Sequence, residues 1–186
     1  MRIIGGASRG LHLTPVGDGD ASAHLRPTSD RVREAIFNLL INSGYGNPVQ
    51  GARVLDVFAG TGALGLEALS RGAAHAGFIE NGATAVGLLR RNIDLMRAAD
   101  RSDVLRRDAT KPGANPYPPY DLIFLDPPYG KGLGEVALAA LSLGWLAPNA
   151  LIVWEDSKAP LLPSGFAPLD QRKYGDTLVT ILEVAD

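Results

Sequence analysis

The sequence predicts an α/β protein with a mostly parallel seven-stranded sheet, helices on both faces and an antiparallel C-terminal strand. Short apolar runs alternate with segments of helical periodicity, which is typical of a parallel sheet buried on both faces. A glycine-rich turn follows the first long apolar run directly. The last two runs meet at Gly175-Asp176, a hairpin signal that reverses the final strand.

The apolar runs predict strands at 53–58, 76–80, 103–107, 121–125, 150–154, 169–174 and 177–183. Helices are expected at 62–71 and 82–99, and an Ala/Leu-rich helix at about 133–146. Residues 136–154 carry no charge and are long enough to span a bilayer. Pro148-Asn149 divides this stretch into a buried helix and a core strand, so no membrane segment is expected.

Residues 1–50 are interpreted as an N-terminal extension, and residues 51–186 as the main domain. The segments 3–6 and 11–13 predict a hairpin, followed by a loop at 15–24 that is rich in Gly, Asp, Ser and Ala. A helix is expected after Pro27, with Thr28 or Ser29 as its N-cap and Asp30 in its first turn.

The composition excludes several classes of protein. The chain has 186 residues, no cysteine and a formal net charge of −2. A disulfide framework, a cysteine nucleophile and a thiolate zinc site are therefore excluded, as is a strongly basic nucleic-acid coat. The N-terminus lacks the apolar segment of a signal peptide. We expect a cytoplasmic protein that needs no metal.

A candidate cofactor loop follows the first strand. Gly60 and Gly62 leave room for a ligand to approach the backbone, and Gly65 allows the next helix to pack on the strand. Glu80 ends the second strand, where an acid can accept hydrogen bonds from a ribose diol. This combination predicts a nucleoside-containing cofactor.

The glycine spacing fits NAD as well as S-adenosyl-L-methionine, and two acidic residues favour the latter. Asp56 would repel a pyrophosphate, but it can hold the ammonium group of an amino acid. Asp108, at the end of the third strand, is placed to bind an adenine amino group. An NAD-dependent oxidoreductase is the alternative from another class, but it leaves the next motif unexplained.

That motif is Asp126-Pro127-Pro128-Tyr129, directly after the fourth strand. In an open α/β sheet this strand end faces the ligand. The motif suits methylation of an exocyclic amine on a nucleobase. Asp126 and the Pro127 carbonyl can accept hydrogen bonds from the two N–H groups and stabilise the positive charge that develops on nitrogen. Tyr129 can stack on a base that has left its helix.

These motifs resemble the RsmD family of bacterial class I methyltransferases, which modify a guanine N2 in 16S ribosomal RNA. The resemblance runs from end to end, and its most specific parts are N-terminal. It is carried by 1–6, 9–10, 25–28, 30–34, 37–38, 58–71 and 126–129. Asn81 departs from the family pattern, in which an acid is common at this position.

The resemblance implies a Rossmann-like methyltransferase fold and an rRNA (guanine-N2) methyltransferase that acts on a small-subunit assembly particle. The candidate catalytic residues are Asp126, Pro127 and Tyr129. The candidate cofactor-binding residues are Asp56, Phe58, Gly60, Thr61, Gly62, Glu80, Asn81, Asp108 and Ala109. Basic and polar residues of the extension are expected to contact RNA phosphates, namely Arg9, Arg26, Thr28, Arg31 and Arg33.

Two further alternatives remain open. A DNA adenine-N6 methyltransferase would share the chemistry of residues 126–129, but it normally carries a separate domain that reads sequence. A non-catalytic RNA-binding assembly factor could retain the same scaffold. Asp126 and Gly60 are both present, which argues against a protein that has lost its catalytic activity.

Overall fold

The computed structural model describes residues 1–14 and 29–185. Within these residues, seven strands form one sheet and four α-helices cover it. The strands are β1 (Arg53–Val57), β2 (His75–Ile79), β3 (Ser102–Leu105), β4 (Tyr120–Leu125), β5 (Leu146–Asp156), β6 (Phe166–Tyr174) and β7 (Thr177–Val184). The α-helices are α1 (Asp30–Asn42), α2 (Ala63–Ser70), α3 (Ala83–Leu95) and α4 (Leu133–Leu141).

The strand order is β3-β2-β1-β4-β5-β7-β6. Strands β1 to β5 pair in parallel, whereas β7 is antiparallel to both β5 and β6. The predicted fold class is therefore confirmed, including the reversed final strand. The chain order changes direction at β1, so the carboxyl ends of β1 and β4 lie side by side where such sheets bind ligands.

Two apolar clusters lie on the two faces of the sheet. One contains Val54 and Phe124 and is covered by α1, α2 and α3, while the other contains Leu55 and Ile123 and is covered by α4. Neighbouring residues of one strand thus enter different clusters, as the two-residue period of a strand requires. Each central strand is buried on both faces, which explains why these strands read as continuous apolar runs.

The N-terminal extension packs on the first of these faces. Main-chain hydrogen bonds join Ile3 to Leu11 and Leu13 to Met1, at 2.9 and 3.0 Å, and form the small hairpin expected from the sequence. Ile3, Leu13 and Phe37 of α1 belong to the same apolar cluster as the sheet. The hairpin and α1 therefore share the core of the main domain. The boundary at residue 50 stays a prediction.

Several element ends differ from the sequence prediction. The third helix ends at Leu95, because Arg97 adopts a positive φ of 51° that stops a right-handed helix. The fourth helix ends at Leu141, and Gly144 turns the chain into β5. Strand β5 begins at Leu146 and includes the Pro-Asn pair, with a register shift against the start of β4.

The N-cap of α1 is Ser29, whose Oγ accepts a hydrogen bond from the backbone N–H of Val32 at 3.2 Å. Thr28, the alternative cap, lies outside the described residues. Among the helices that the structure describes, none is long and apolar enough to cross a membrane.

Candidate active site

The predicted site residues meet at the carboxyl edge of the sheet. Val57, the last residue of β1, pairs with Ile79 of β2 and Leu125 of β4. The loops that follow these three strands therefore start next to each other. The backbone N–H of Asp126 donates to the Val57 carbonyl at 3.3 Å, which holds the 126–129 motif beside the glycine loop.

The glycine loop has a constrained backbone. Phe58, Gly60 and Gly62 have φ values of 60°, 55° and 81°, in a region that favours glycine. A Cβ on Gly62 would also overlap the side chain of Leu89. A non-glycine residue such as Phe58 is uncommon in this conformation, and such strain is concentrated at functional sites.

Glu80 fastens this loop to the end of β2. Its two carboxylate oxygens accept hydrogen bonds from the N–H groups of Gly60, at 2.9 Å, and Gly82, at 2.7 Å. The sequence suggested only a contact with ribose. The structure shows that Glu80 also sets the shape of the loop, and the remaining lone pairs of the carboxylate can still accept from a ligand.

Asp56 is almost fully buried, and its carboxylate accepts a hydrogen bond from the N–H of Gly65 at 2.8 Å. Burial raises the pKa of Asp56 well above its usual value, and the negative charges of Asp126 and Glu80 raise it further. The Gly65 hydrogen bond acts in the opposite direction. This edge of the sheet is therefore a region of negative potential that favours a cationic ligand.

Asp108 presents an exposed carboxylate after β3. Hydrogen bonds from the hydroxyl and the N–H of Thr110, at 2.7 and 2.9 Å, lower the pKa of Asp108 and keep it ionised. Ala109 is buried beside it, and Asn81 is exposed after β2. Asp108 is thus a charged acceptor within a turn that fixes its position.

Thr61 is buried and connects the glycine loop to other parts of the chain. Its carbonyl accepts a hydrogen bond from the Asn92 amide at 3.0 Å, and its hydroxyl lies 3.8 Å from the sulfur of Met1. The side chain of Thr61 therefore faces the N-terminal segment in this structure. Thr61 can therefore contribute to cofactor binding through its backbone.

The 126–129 motif combines partly exposed polar groups with a rigid backbone. Asp126 and Tyr129 are partly buried, and Pro127 is buried. The Tyr129 hydroxyl lies 3.2 Å from the Thr177 hydroxyl of β7. Burial, together with the nearby charges of Asp126 and Glu155, raises the pKa of Tyr129. Tyr129 therefore stays a neutral phenol. Its contact with Thr177 fixes the position of the hydroxyl.

Glu155 is an acidic residue of this edge that the sequence analysis did not identify. It lies near the end of β5, which neighbours β4, and is only 2% exposed. The signal was available, because in the sequence Glu155 follows the apolar run 150–154 just as Asp126 follows the apolar run 122–125.

The arginines of the extension divide into two groups. Arg9 and Arg31 are exposed, as phosphate contacts require. Arg33 is fully buried, and the prediction that it contacts RNA is wrong for this conformation: its guanidinium donates to the Arg2 carbonyl and to Asp30 Oδ1, the latter at 2.9 Å. The predictions for Arg26 and Thr28 lie outside the described residues.

In the described part of the chain, no group of three or more His, Asp or Glu side chains is arranged to hold a metal ion.

Solved structures resemble this fold closely. The structure of yhhF from Escherichia coli superposes with a TM-score of 0.84 at 35% identity and covers 100% of this chain and 98% of its own. An RNA methyltransferase from Salinibacter ruber, solved with S-adenosyl-L-homocysteine, has a TM-score of 0.62 at 17% identity and covers 86% and 94%. The similarity to the Salinibacter ruber protein shows a shared fold and nothing more. Fold and site together define a class I methyltransferase.

A family model described as "Conserved hypothetical protein 95" matches residues 1–183, and the chain belongs to this family, the RsmD family indicated by its motifs. Ribosomal RNA small subunit methyltransferase D of Escherichia coli K12 is 42% identical over 165 residues, which are 88% of this chain and 78% of the relative. The protein of that name in Haemophilus influenzae is 37% identical over 182 residues, covering 94% and 89%.

Proposed function

We propose that this protein transfers a methyl group from S-adenosylmethionine to the exocyclic N2 of a guanine in 16S ribosomal RNA, within a small subunit or its assembly intermediate. The observation that carries the proposal is the contact of the 126–129 motif with the end of β1, in a chain whose relatives are named as methyltransferases of small-subunit rRNA. The motif supplies the acceptors for an amine, and the adjoining glycine loop supplies the cofactor site.

The charges at the edge of the sheet fit this cofactor. Burial raises the pKa of Asp56, and the carboxylates of Asp126 and Glu80 are close enough to raise it further. A pyrophosphate would be repelled there, whereas the ammonium and sulfonium groups of S-adenosylmethionine would be attracted. The exposed carboxylate of Asp108 suits the amino group of adenine. Glu80 retains acceptor capacity for ribose hydroxyls.

When bound, S-adenosylmethionine supplies an electrophilic methyl group. The protein's task is to make a weakly nucleophilic amine attack it. Asp126 and the Pro127 carbonyl accept hydrogen bonds from the two N2–H groups, which aims the nitrogen lone pair and stabilises the positive charge that forms as the N–C bond is made. The excess proton then leaves to Asp126 or to water. Tyr129, held by Thr177, stacks on the base.

The exposed arginines are proposed to bind the RNA backbone. Arg9 and Arg31 lie in the N-terminal extension, which packs on the same face of the sheet as α2 and α3. Arg26 and Thr28 join them in the proposal on the strength of the family resemblance. Such contacts position the RNA without specifying its sequence.

The test is transfer of labelled methyl from S-adenosylmethionine to small subunits that lack the modification, with naked 16S rRNA in parallel, followed by nucleoside analysis. We expect N2-methylguanine in the subunits. Asp126→Ala should reduce the single-turnover rate by at least about 100-fold. The matched control Asp176→Ala changes an exposed carboxylate in the β6–β7 turn and should leave the rate unaltered.

Each other outcome contradicts a defined part of the proposal. Label in N6-methyladenine would retain the chemistry and overturn the substrate. Absence of label on any RNA or DNA, with cofactor binding demonstrated, would favour the non-catalytic assembly factor. Equal methylation of naked rRNA would contradict the preference for an assembled particle.

A further inference from the structure

Glu155 is a buried carboxylate at the ligand-binding edge that the proposed reaction does not use. Strands β4 and β5 are paired so that Leu125 lies opposite Trp154. Asp126 directly follows β4, and Glu155 is the next-to-last residue of β5, so the two residues are neighbours where this pair of strands ends. Neighbouring strands lie about 4.8 Å apart, so two acceptors lie side by side at this point.

The direction of the side chain agrees with this placement. Trp154 belongs to the apolar cluster on the α4 side, and the alternation of β5 turns Glu155 to the opposite face. Glu155 pairs across the sheet with Val179, whose side chain belongs to the cluster that α1 covers. The N-terminal extension, proposed to bind RNA, lies on this face. Tyr129 is close enough to feel the charges of Asp126, Glu155 and Asp156.

We propose that Glu155 recognises the target guanine by accepting a hydrogen bond from its N1–H group. The inference rests on the proposed function, in which Asp126 accepts from the neighbouring N2 amine. Guanine presents these two donors next to each other on its Watson–Crick edge, whereas N1 of adenine is an acceptor. A carboxylate has no hydrogen to donate, so Asp126 and Glu155 together match guanine and repel adenine.

Burial gives this recognition its selectivity. In the free chain Glu155 makes further interactions, which the N1–H of the bound base would replace. A base that offers an acceptor in place of N1–H would set its lone pair against the carboxylate in a place of low solvent access, where the repulsion is poorly screened. Sites built to hydrogen-bond a substrate N–H reject analogues that lack it by several orders of magnitude.

The test compares guanine with 2-aminopurine, which keeps the exocyclic amine but has no hydrogen on N1. Small subunits are reconstituted with 16S rRNA that carries one base or the other at the nucleotide methylated by the wild-type enzyme. We expect the wild-type protein to methylate 2-aminopurine at least about 100-fold more slowly in kcat/KM. Comparable rates on the two bases would overturn the proposal without any variant.

Glu155→Gln provides the second test, because an amide can donate to N1 of 2-aminopurine. The variant should lose about 10-fold or more in rate on guanine and gain on 2-aminopurine, so that the ratio between the bases falls at least about 100-fold. Glu183→Gln is the matched control, since it makes the same substitution on β7 opposite Leu151, away from the end of β5 that carries Glu155; its ratio should equal that of the wild type.

A merely structural role for Glu155 predicts a different pattern. Both rates would then fall together, with the ratio between the bases unchanged, and this result would overturn the proposal. Failure of the proposed function itself is distinguishable, because the wild-type protein would then leave guanine unmethylated. Cofactor binding by Glu155→Gln, measured by calorimetry, verifies that the variant is folded.

Discussion

Glu67 of α2 holds the N-terminal extension on the main domain. Its buried carboxylate accepts hydrogen bonds from the N–H groups of Ile4, at 2.9 Å, and Gly5, at 2.8 Å, and from Arg71 at 2.7 Å. The guanidinium of Arg33 lies 3.7 Å away, and both side chains of this pair are fully buried. One carboxylate thus joins the hairpin, α1 and α2.

Removal of this carboxylate by Glu67→Ala should destabilise the protein strongly. Two backbone donors would lose their acceptor, and among the described residues the buried charge of Arg33 would keep Asp30, at 2.9 Å, as its one acidic partner. Breaking a buried ion pair by deleting one member costs about 3–5 kcal/mol. For a chain of this size each kcal/mol lowers Tm by about 2–4 °C, so the expected decrease is roughly 6–20 °C.

The assay is urea denaturation together with a thermal melt of the cofactor-free protein. Glu34→Ala removes an exposed acid from α1 and serves as the control, with an expected change within about 0.5 kcal/mol. Amide exchange at Ile4 and Gly5 should accelerate in Glu67→Ala more than exchange in β4. A loss below about 1 kcal/mol, or unchanged exchange at these two amides, would refute the reasoning.

Three further predictions concern the site. Gly62→Ala should weaken cofactor binding measured by calorimetry, because a side chain is strained at a φ of 81° and its Cβ would have to displace the end of Leu89; unchanged affinity would contradict a requirement for glycine at this position. Burial raises the pKa of Asp56, so its stabilising contribution is present at low pH and is lost as pH rises through the folded pKa. Asp56→Asn should remove this decline in urea melts recorded at pH values rising from the usual pKa of aspartate, while it weakens cofactor binding; a parallel pH profile would refute the assignment. Tyr129→Phe loses the 3.2 Å contact with Thr177 but keeps the ring, so kcat/KM should fall by less than about 10-fold. Tyr129→Ala also removes the ring, and kcat/KM should fall by about 10–100-fold. Equal decreases in the two variants would exclude stacking.

The sequence predicted the fold and most of the residues at the carboxyl edge of the sheet, because local sequence patterns determine both. Apolar runs separated by helical periodicity specify the strands and helices, and parallel strands bring their carboxyl ends together whatever the lengths of the loops. Asp56, Glu80 and Asp126 could therefore be assigned to one site from their positions at the carboxyl ends of three strands. The roles of these residues as ligands are still predictions.

Contacts distant in sequence could not be predicted in this way. The charge of Arg33 predicts an exposed residue, although Arg33 shares a helical face with Ile36, Phe37 and Leu40, all of them buried. Its buried partner Glu67 is remote in sequence and lies in a helix that is buried on every side. Only the three-dimensional structure shows that the two charges meet.

The buried side-chain amide of Asn92 connects the glycine loop, which is proposed to bind the cofactor, with the N-terminal extension, which is proposed to bind RNA. Its nitrogen donates to the Thr61 carbonyl in the glycine loop at 3.0 Å, and its oxygen accepts from the N–H of Thr14 at 2.7 Å. Only a side chain that donates and accepts at once satisfies both backbone groups, since aspartate lacks the donor and leucine lacks both functions. Thr14 immediately precedes the segment that includes Arg26. The residue type at position 92 is therefore explained by a connection between the cofactor loop and the chain that leads to the proposed RNA contacts.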